Sequence, residues 1–187
     1  MESAVQAQRK LTAEDYERFP DDGQRHELVD GEHVVTPSPG VQHQRVVRRL
    51  ARALEDAAAA GTGGEVFFAP LDVKLSPHDV VEPDVLWVSA ARLAVEGNRL
   101  AGIPELVVEV LSPSSRRIDE VLKRRRYERF GVLELWIVDP EVEAVRIYRR
   151  EGELFARPVT LSGERGDVLA TPLLPGLALP VAGLLGG

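Results

Sequence analysis

A single carboxylate interrupts an otherwise continuous apolar stretch of the chain. Residues 106–111 read Leu-Val-Val-Glu-Val-Leu, and the acid among them is Glu109. A short, unbroken apolar run of this kind is typical of a strand that is buried on both faces. A buried carboxylate is costly unless it is paired or bound to a cation, and alone it tends to stay protonated. We therefore expect Glu109 to meet positive charge inside a sheet, the alternative being the solvated face of a half-exposed strand.

A second acid and a lysine accompany Glu109 in the sequence. Asp84 follows Pro83 at the start of a predicted strand, where a side chain can reach a cleft. Lys123 lies on the next predicted helix and is one of only three lysines against 20 arginines. A lysine offers a compact ammonium whose pKa can shift, which an arginine does not. Alternatively, Asp84 is an ordinary turn residue and Lys123 lies on a solvated helix face. Lys74 is the rival candidate for the role of the lysine.

Composition limits the class of protein. The 187 residues fit one compact domain, which we place at residues 11–187 after a flexible leader at residues 1–10. The chain has no cysteine, which excludes disulfides and thiolate catalysis. It shows no signal peptide and no membrane span, so we expect a cytoplasmic protein. The net charge of -7 argues against a passive nucleic-acid binder, but residues 116–129 hold seven basic and three acidic side chains.

Hydrophobic periodicity and turn residues predict a mixture of helices and strands. Thr12 caps a first short helix, and Asp-Gly at residues 30–31 predicts a hairpin. Further helices are predicted at residues 41–60, 90–96 and 118–130, and strands at residues 65–69, 71–75, 83–88, 106–111, 134–139 and 145–149. The tail from Thr171 is predicted to be extended. The pattern indicates an α/β fold with one mixed sheet and helices on its faces.

Two acids and a lysine held by an α/β core are what metal-dependent cleavage of a phosphodiester requires. Glu27, on the first hairpin strand, and His43, at the start of the long helix, are secondary candidates. Their alternatives are a surface glutamate and an ordinary helix-start histidine. The sequence lacks a phosphate-binding Gly-Lys-Ser/Thr loop, a Gly-x-Ser-x-Gly elbow and a His-Glu-x-x-His zinc motif.

Six segments in order resemble the bacterial putative restriction endonuclease domain family, part of the PD-(D/E)XK nuclease superfamily. They are Glu-Leu-Val-Asp-Gly-Glu at residues 27–32, Gly40 with His43, Pro83 with Asp84, Val-Glu-Val-Leu-Ser-Pro-Ser at residues 108–114, Lys123 with Tyr127, and Glu-Leu-Trp-Ile-Val-Asp-Pro at residues 134–140. The resemblance implies a restriction-endonuclease-like fold, with a central mixed sheet flanked by helices and an N-terminal β-hairpin. It also implies Mg²⁺-dependent cleavage of DNA.

The resemblance assigns roles to individual residues. Asp84 takes the place of the first acid of the family motif, and Glu109 takes that of the second. The superfamily lysine usually follows the second acid by two positions, where this chain has Leu111. The resemblance suggests that the lysine has moved to the following helix as Lys123.

These assignments lead to a hypothesis for the whole site. Asp84, Glu109 and the carbonyl of Val110 hold Mg²⁺, with Mn²⁺ as a possible substitute, and Lys123 orients the attacking water. The DNA backbone is held by basic residues near the helix, namely Arg116, Arg117, Arg124 and Arg125. Cutting both strands favours a homodimer. The alternatives are an inactive nuclease-fold scaffold and an oligomerisation domain that uses residues 173–185 as its contact.

Overall fold

The computed structural model describes residues 9–186, except for the side chain of Thr62. Residues 1–8 of the predicted leader lie outside this range. The last two leader residues are described: Arg9 Nη2 lies 2.9 Å from Asp15 Oδ1, and Lys10 Nζ lies 2.7 Å from Asp30 Oδ1. The first helix begins where its sequence predicts, because Thr12 and Asp15 form a reciprocal capping box.

The described residues form fifteen strands and four α-helices. The strands are β1 (Arg25–Val29), β2 (Glu32–Thr36), β3 (Glu65–Phe68), β4 (Val73–Ser76), β5 (Asp79–Val81), β6 (Val85–Val88), β7 (Val95–Glu96), β8 (Arg99–Leu100), β9 (Leu106–Val110), β10 (Glu134–Asp139), β11 (Ala144–Glu151), β12 (Leu154–Phe155), β13 (Val159–Ser162), β14 (Val168–Leu169) and β15 (Leu179–Pro180). The helices are α1 (Ala13–Tyr16), α2 (Val41–Ala57), α3 (Arg124–Phe130) and α4 (Val181–Leu185). Wider π-helical turns follow α2 at Ala58–Thr62 and precede α3 at Ile118–Lys123.

The larger sheet has the order β12-β11-β10-β9-β6-β3, and β13 also pairs with β11. Strands β9 and β10 are parallel, whereas β6 runs antiparallel to β9. Val108 and Val110 pack in the core beneath α2, and Val107 packs in the opposite core that contains Tyr127. Because side chains alternate along a strand, Glu109 points to the same face as Val107. The expected strand buried on both faces is confirmed, and every residue of β9 is buried.

The predicted hairpin is confirmed and belongs to a second sheet. Asp30 and Gly31 both adopt positive φ, at 53° and 79°, as a tight two-residue connection requires. The second sheet has the order β2-β1-β5-β4-β8-β7. We predicted one mixed sheet, and the second was missed because β5, β7 and β8 have only two or three residues each. Runs that short do not establish an alternating pattern.

Two local predictions are wrong. The predicted helix at residues 90–96 is absent, because Val95–Glu96 pairs with Arg99–Leu100 around Gly97, which has a φ of 61°. The tail is not fully extended, because it ends in α4. Leu174, Val181 and Leu184 are fully buried in the main core, so these side chains are not available as the contact of the oligomerisation alternative.

Helix α2 covers the larger sheet as its sequence pattern predicts. Val47, Leu50, Leu54 and Ala57 are buried at helical spacing against β6, β9 and β10. The mixed α/β fold class with helices on a mixed sheet is confirmed. In the described range, each helix is too short or too polar to cross a bilayer.

Candidate active site

The Lys123 ammonium lies inside the protein among carboxylates. Its side chain is 0% exposed, and Nζ lies 2.7 Å from Glu109 Oε1 and 2.9 Å from Glu27 Oε1. Asp119 Oδ1, four residues earlier in the chain, is 3.5 Å away. Burial opposes the charged form, but the carboxylates of Glu109 and Glu27 outweigh it and raise the pKa of Lys123 above its usual value. The lysine is therefore a buried cation that joins β1, β9 and the π-helical turn.

Glu109 has one oxygen that is held and one that has no partner. Oε1 receives a hydrogen bond of 2.5 Å from the Tyr127 hydroxyl and contacts Lys123. Oε2 is buried and has no hydrogen-bond partner among the described residues. Burial raises the pKa of Glu109 to about 8, with Asp119 and Asp84 adding to the rise and Lys123 opposing it. A buried carboxyl group with an unsatisfied oxygen is stabilised when it binds a proton or a cation.

Asp84 lies immediately before β6 and next to Glu109. The register of β6 and β9 pairs Val85 with Val108, so the next positions along the two strands are Asp84 and Glu109. Asp84 Oδ2 accepts a hydrogen bond of 2.7 Å from the Val110 N–H and lies 3.2 Å from His43 Nε2. Burial acts to raise the pKa of Asp84, but the contacts with His43 and Arg25 lower it to about 2. Asp84 is therefore the acid of the pair that is ionised near neutral pH.

Arg25 is the second cation of the site. Its guanidinium Nη1 lies 2.9 Å from Asp84 Oδ1, and its Nε lies 3.1 Å from Glu82 Oε1 and 3.8 Å from Glu27 Oε2. The Nη2 atom is buried and has no hydrogen-bond partner among residues 9–186. Burial disfavours the charge of Glu27, yet Lys123 and Arg25 lower the pKa of this carboxyl group below its usual value.

We call these side chains the acid cluster. It contains more carboxyl groups than cations: Arg25 and Lys123 face Glu27, Glu82, Asp84, Glu109 and Asp119. Burial raises the pKa of Glu82 and of Asp119 as well as that of Glu109. A bound divalent cation would offset the surplus of carboxyl groups directly.

A pocket of about 210 Å³ reaches the acid cluster from the surface. Arg25, His43, Glu82 and Asp84 line it, together with residues of the loops near Pro39. His43 is buried, and its Nδ1 has no hydrogen-bond partner in the described part of the chain. Glu109 and Lys123 lie behind this pocket and do not line it. A ligand that enters would therefore meet Asp84 and His43 first.

The donor chemistry of the cluster fits a hard divalent cation. The available ligands are carboxylate oxygens, and Glu109 Oε2 has no protein partner. However, no group of three or more acids or histidines within residues 9–186 has the arrangement of a ready-made metal site. In addition, Asp84 is already in contact with Arg25, and Glu109 with Lys123. Binding would require these carboxylates to share their oxygens between the ion and the existing cations.

The four arginines expected to hold DNA fall into two groups. Arg116 Nη1 lies 2.5 Å from Asp139 Oδ2, and Arg124 lies over the Tyr148 ring while its Nε donates to the Glu120 carbonyl. Arg117 and Arg125 are exposed and have no carboxylate within 4 Å among the described residues. The rival lysine, Lys74, pairs with Glu96 in the second sheet and takes no part in the acid cluster.

Sequence reasoning assigned no role to four members of the site, and spacing could have found three of them. Arg25 precedes Glu27 by two residues on the same strand, so the two side chains share a face. Asp119 and Tyr127 each lie four residues from Lys123, which places all three on one helical face. Glu82 lies in the loop between β5 and β6, where no structural period marks it.

Comparisons with known proteins agree with the sequence resemblance. A solved structure of a putative nuclease belonging to DUF820, from Anabaena variabilis, superimposes with a TM-score of 0.77 at 17% identity, covering 94% of this chain and 97% of that chain. At that identity the likeness establishes the fold alone. No curated protein matches the sequence. The model of the Uma2 family, described as putative restriction endonuclease, matches residues 13–182. The chain therefore belongs to the Uma2 family of putative restriction endonucleases.

Proposed function

We propose that this protein is a divalent-metal-dependent endonuclease that hydrolyses phosphodiester bonds of DNA, acting in the cytoplasm. Family membership supports the endonuclease class. The observation that carries the metal dependence is the surplus of buried carboxyl groups, together with the unpartnered Oε2 of Glu109. Mg²⁺ is the proposed ion, with Mn²⁺ as a substitute, because hard oxygen ligands suit both.

Asp84, Glu109 and the carbonyl of Val110 are the proposed ligands. When bound, the ion would lower the pKa of a water molecule and neutralise charge on the scissile phosphate. Asp84 brings a charge that is present throughout the physiological pH range, because its pKa is about 2. Glu109 brings a second charge once it loses its proton.

Lys123 and Tyr127 have a positioning role in this proposal. Both hold Oε1 of Glu109, which leaves Oε2 as the atom free to bind. Lys123 also fixes Glu27, whose Oε1 accepts the Glu82 N–H at 2.8 Å. These contacts of the ammonium support a lysine that orients the attacking water through Glu109 and Glu27.

Exposed cations are the proposed contacts for the DNA backbone. Arg117 and Arg125 are available as they stand, whereas Arg116 and Arg124 would have to exchange their present partners. Phosphate contacts of this kind supply affinity without sequence information. The assignment predicts that binding weakens as salt concentration rises.

The test is nicking of supercoiled plasmid DNA in Mg²⁺ by the wild type and by near-isosteric variants. Asp84→Asn, Glu109→Gln and Lys123→Met should each lose at least about 100-fold in rate. Glu134→Gln is the matched control, because Glu134 is also a buried strand acid but bonds Trp136 and Thr171 outside the acid cluster. Equal activity in all five proteins, or no activity in the wild type, would defeat the proposal.

A non-catalytic scaffold is the second candidate. The observation that favours it is that Arg25 already pairs with Asp84, and Lys123 with Glu109. The acid cluster can therefore be stable without an ion. Thermal unfolding in Mn²⁺ separates the two functions. Metal binding should raise the melting temperature by mass action, and Glu109→Ala should abolish the rise. A wild type that does not respond to Mn²⁺ or Mg²⁺ would favour the scaffold.

A further inference from the structure

A larger groove runs along α2, next to the pocket of the acid cluster. Its volume is about 800 Å³, and Phe68 of the edge strand β3 forms one side. Val47 and Ala51 form its floor, where both are nearly buried. Val41 at one end is 70% exposed and Phe68 is 54% exposed. Large apolar side chains exposed beside an open groove indicate a surface that another molecule covers.

The charged residues along this groove are sorted by sign. Along α2 from its N-terminus, the groove is lined first by Arg45, Arg48 and Arg52 and then by Glu55 and Asp56. Within residues 9–186, Arg45, Arg48 and Glu55 have no opposite charge within 4 Å. Arg52 Nε lies 3.9 Å from Asp56 Oδ2, and both side chains are mostly exposed. The groove therefore presents a basic stretch followed by an acidic one.

We infer that the groove is a homodimer interface in which α2 of a second copy lies antiparallel to α2 of the first. A two-fold axis near Ala51 brings the basic stretch of each helix against the acidic end of the other, because such an interface is self-complementary. Arg48 then lies within a helical turn of the second copy's Glu55. Ala51 at the crossing allows the two helices to approach to the usual separation of about 8–10 Å.

A second copy of this chain fits the groove better than a nucleic-acid backbone does. DNA carries negative charge along its whole length, so Glu55 and Asp56 would repel it at one end of the groove. The apolar Val41 and Phe68 would gain nothing from phosphates, whereas a helix from another copy can bury them.

A second copy bound in the groove would lie close to the pocket of the acid cluster. Gln44 and Val47 line both the groove and that pocket, so the second copy would border the pocket entrance. His43 lies eight residues from Ala51, so two His43 side chains would be roughly 24 Å apart along the helix axes. The interface itself does not depend on nuclease activity.

Sedimentation velocity of the full chain, with charge-reversal variants, tests the inference. The wild type should sediment as a dimer. Arg48→Glu and Glu55→Arg should each raise the dimer dissociation constant by at least about 10-fold, because every reversal acts at two symmetric contacts. The combined variant should recover dimerisation. Arg157→Glu, an exposed change outside the groove, is the control and should leave the dimer intact.

Several outcomes would overturn the interface. They are a wild type that stays monomeric at about 100 μM, single reversals that leave the dimer unchanged, and a double variant that is no better than either single one. DNA in the groove would show instead as weaker DNA binding for Arg48→Glu and stronger binding for Glu55→Arg, with no change in mass. Because the reversed residues are exposed, circular dichroism should show the same fold in all variants. Plasmid nicking by the same samples distinguishes loss of the interface from failure of the proposed function.

Discussion

Replacing Lys123 by methionine tests whether the buried ammonium neutralises the acid cluster. Methionine keeps most of the volume of the side chain and removes its charge. The Lys123 Nζ atom lies 2.9 Å from Glu27 and 2.7 Å from Glu109, and the lysine side chain is not exposed to solvent. The substitution would therefore leave both carboxyl groups without their cation in a buried site. Removing one partner of a buried ion pair costs about 3–5 kcal/mol. For a chain of this size the same change lowers the melting temperature by roughly 6–20 °C.

The size of this loss should depend on pH in a definite direction. The lysine has a raised pKa, so its own contribution is complete below the unfolded value of 10.5 and does not change between about pH 6 and 8.5. The carboxyl groups do change. Burial raises the pKa of Glu109 to about 8, so near pH 6 this group holds a proton and needs no cation. The loss should therefore be smaller near pH 6 than near pH 8.5.

Urea unfolding at both pH values measures the effect. Lys74→Met is the matched control, because Lys74 pairs with the exposed Glu96 and its loss should cost less than about 1 kcal/mol. If Lys123→Met costs no more than Lys74→Met, the reasoning about the buried charge is refuted. A loss that grows on going from pH 8.5 to pH 6 would refute the assignment of the titrating group.

Three further predictions concern the two acids and their partners. Tyr127→Phe removes the donor to Glu109 Oε1 and should lower the free energy of unfolding by about 1–3 kcal/mol in urea, whereas an unchanged value would contradict a formed hydrogen bond. Asp84→Asn should lose about 2 kcal/mol near pH 7, because a pKa of about 2 stabilises the folded state above pH 4, and the gap to wild type should close as pH falls toward 2. Calorimetry with Mn²⁺ should show affinity rising about 10-fold per pH unit up to pH 8 as Glu109 loses its proton, and a flat profile would contradict that release.

The sequence predicted those features of the fold and the site that depend on a local pattern of residues. Glu109 lies in an apolar run whose length and composition are typical of a buried strand, so both its burial and its need for a cation could be predicted. The Asp-Gly hairpin and the buried apolar face of α2 could also be predicted, because turn chemistry and helical periodicity are local properties of the sequence.

The rest depended on contacts between distant segments. Arg25 and Asp84 are 59 residues apart, and nothing local marks them as partners. Strands β5, β7 and β8 of the second sheet have only two or three residues each, and for such short strands pairing with a neighbour outweighs intrinsic preference. The predicted helix at residues 90–96 failed for the same reason, because strand pairing around Gly97 determined the local structure.

A crystal structure with Mn²⁺, located by its anomalous scattering, tests the central claim most directly. We predict one ion peak between Asp84 and Glu109, with Glu109 Oε2 among its ligands and Lys123 still in contact with Oε1. An ion bound elsewhere, or an acid cluster that keeps its contacts with Arg25 and Lys123 and excludes the metal at saturating concentration, would contradict the account.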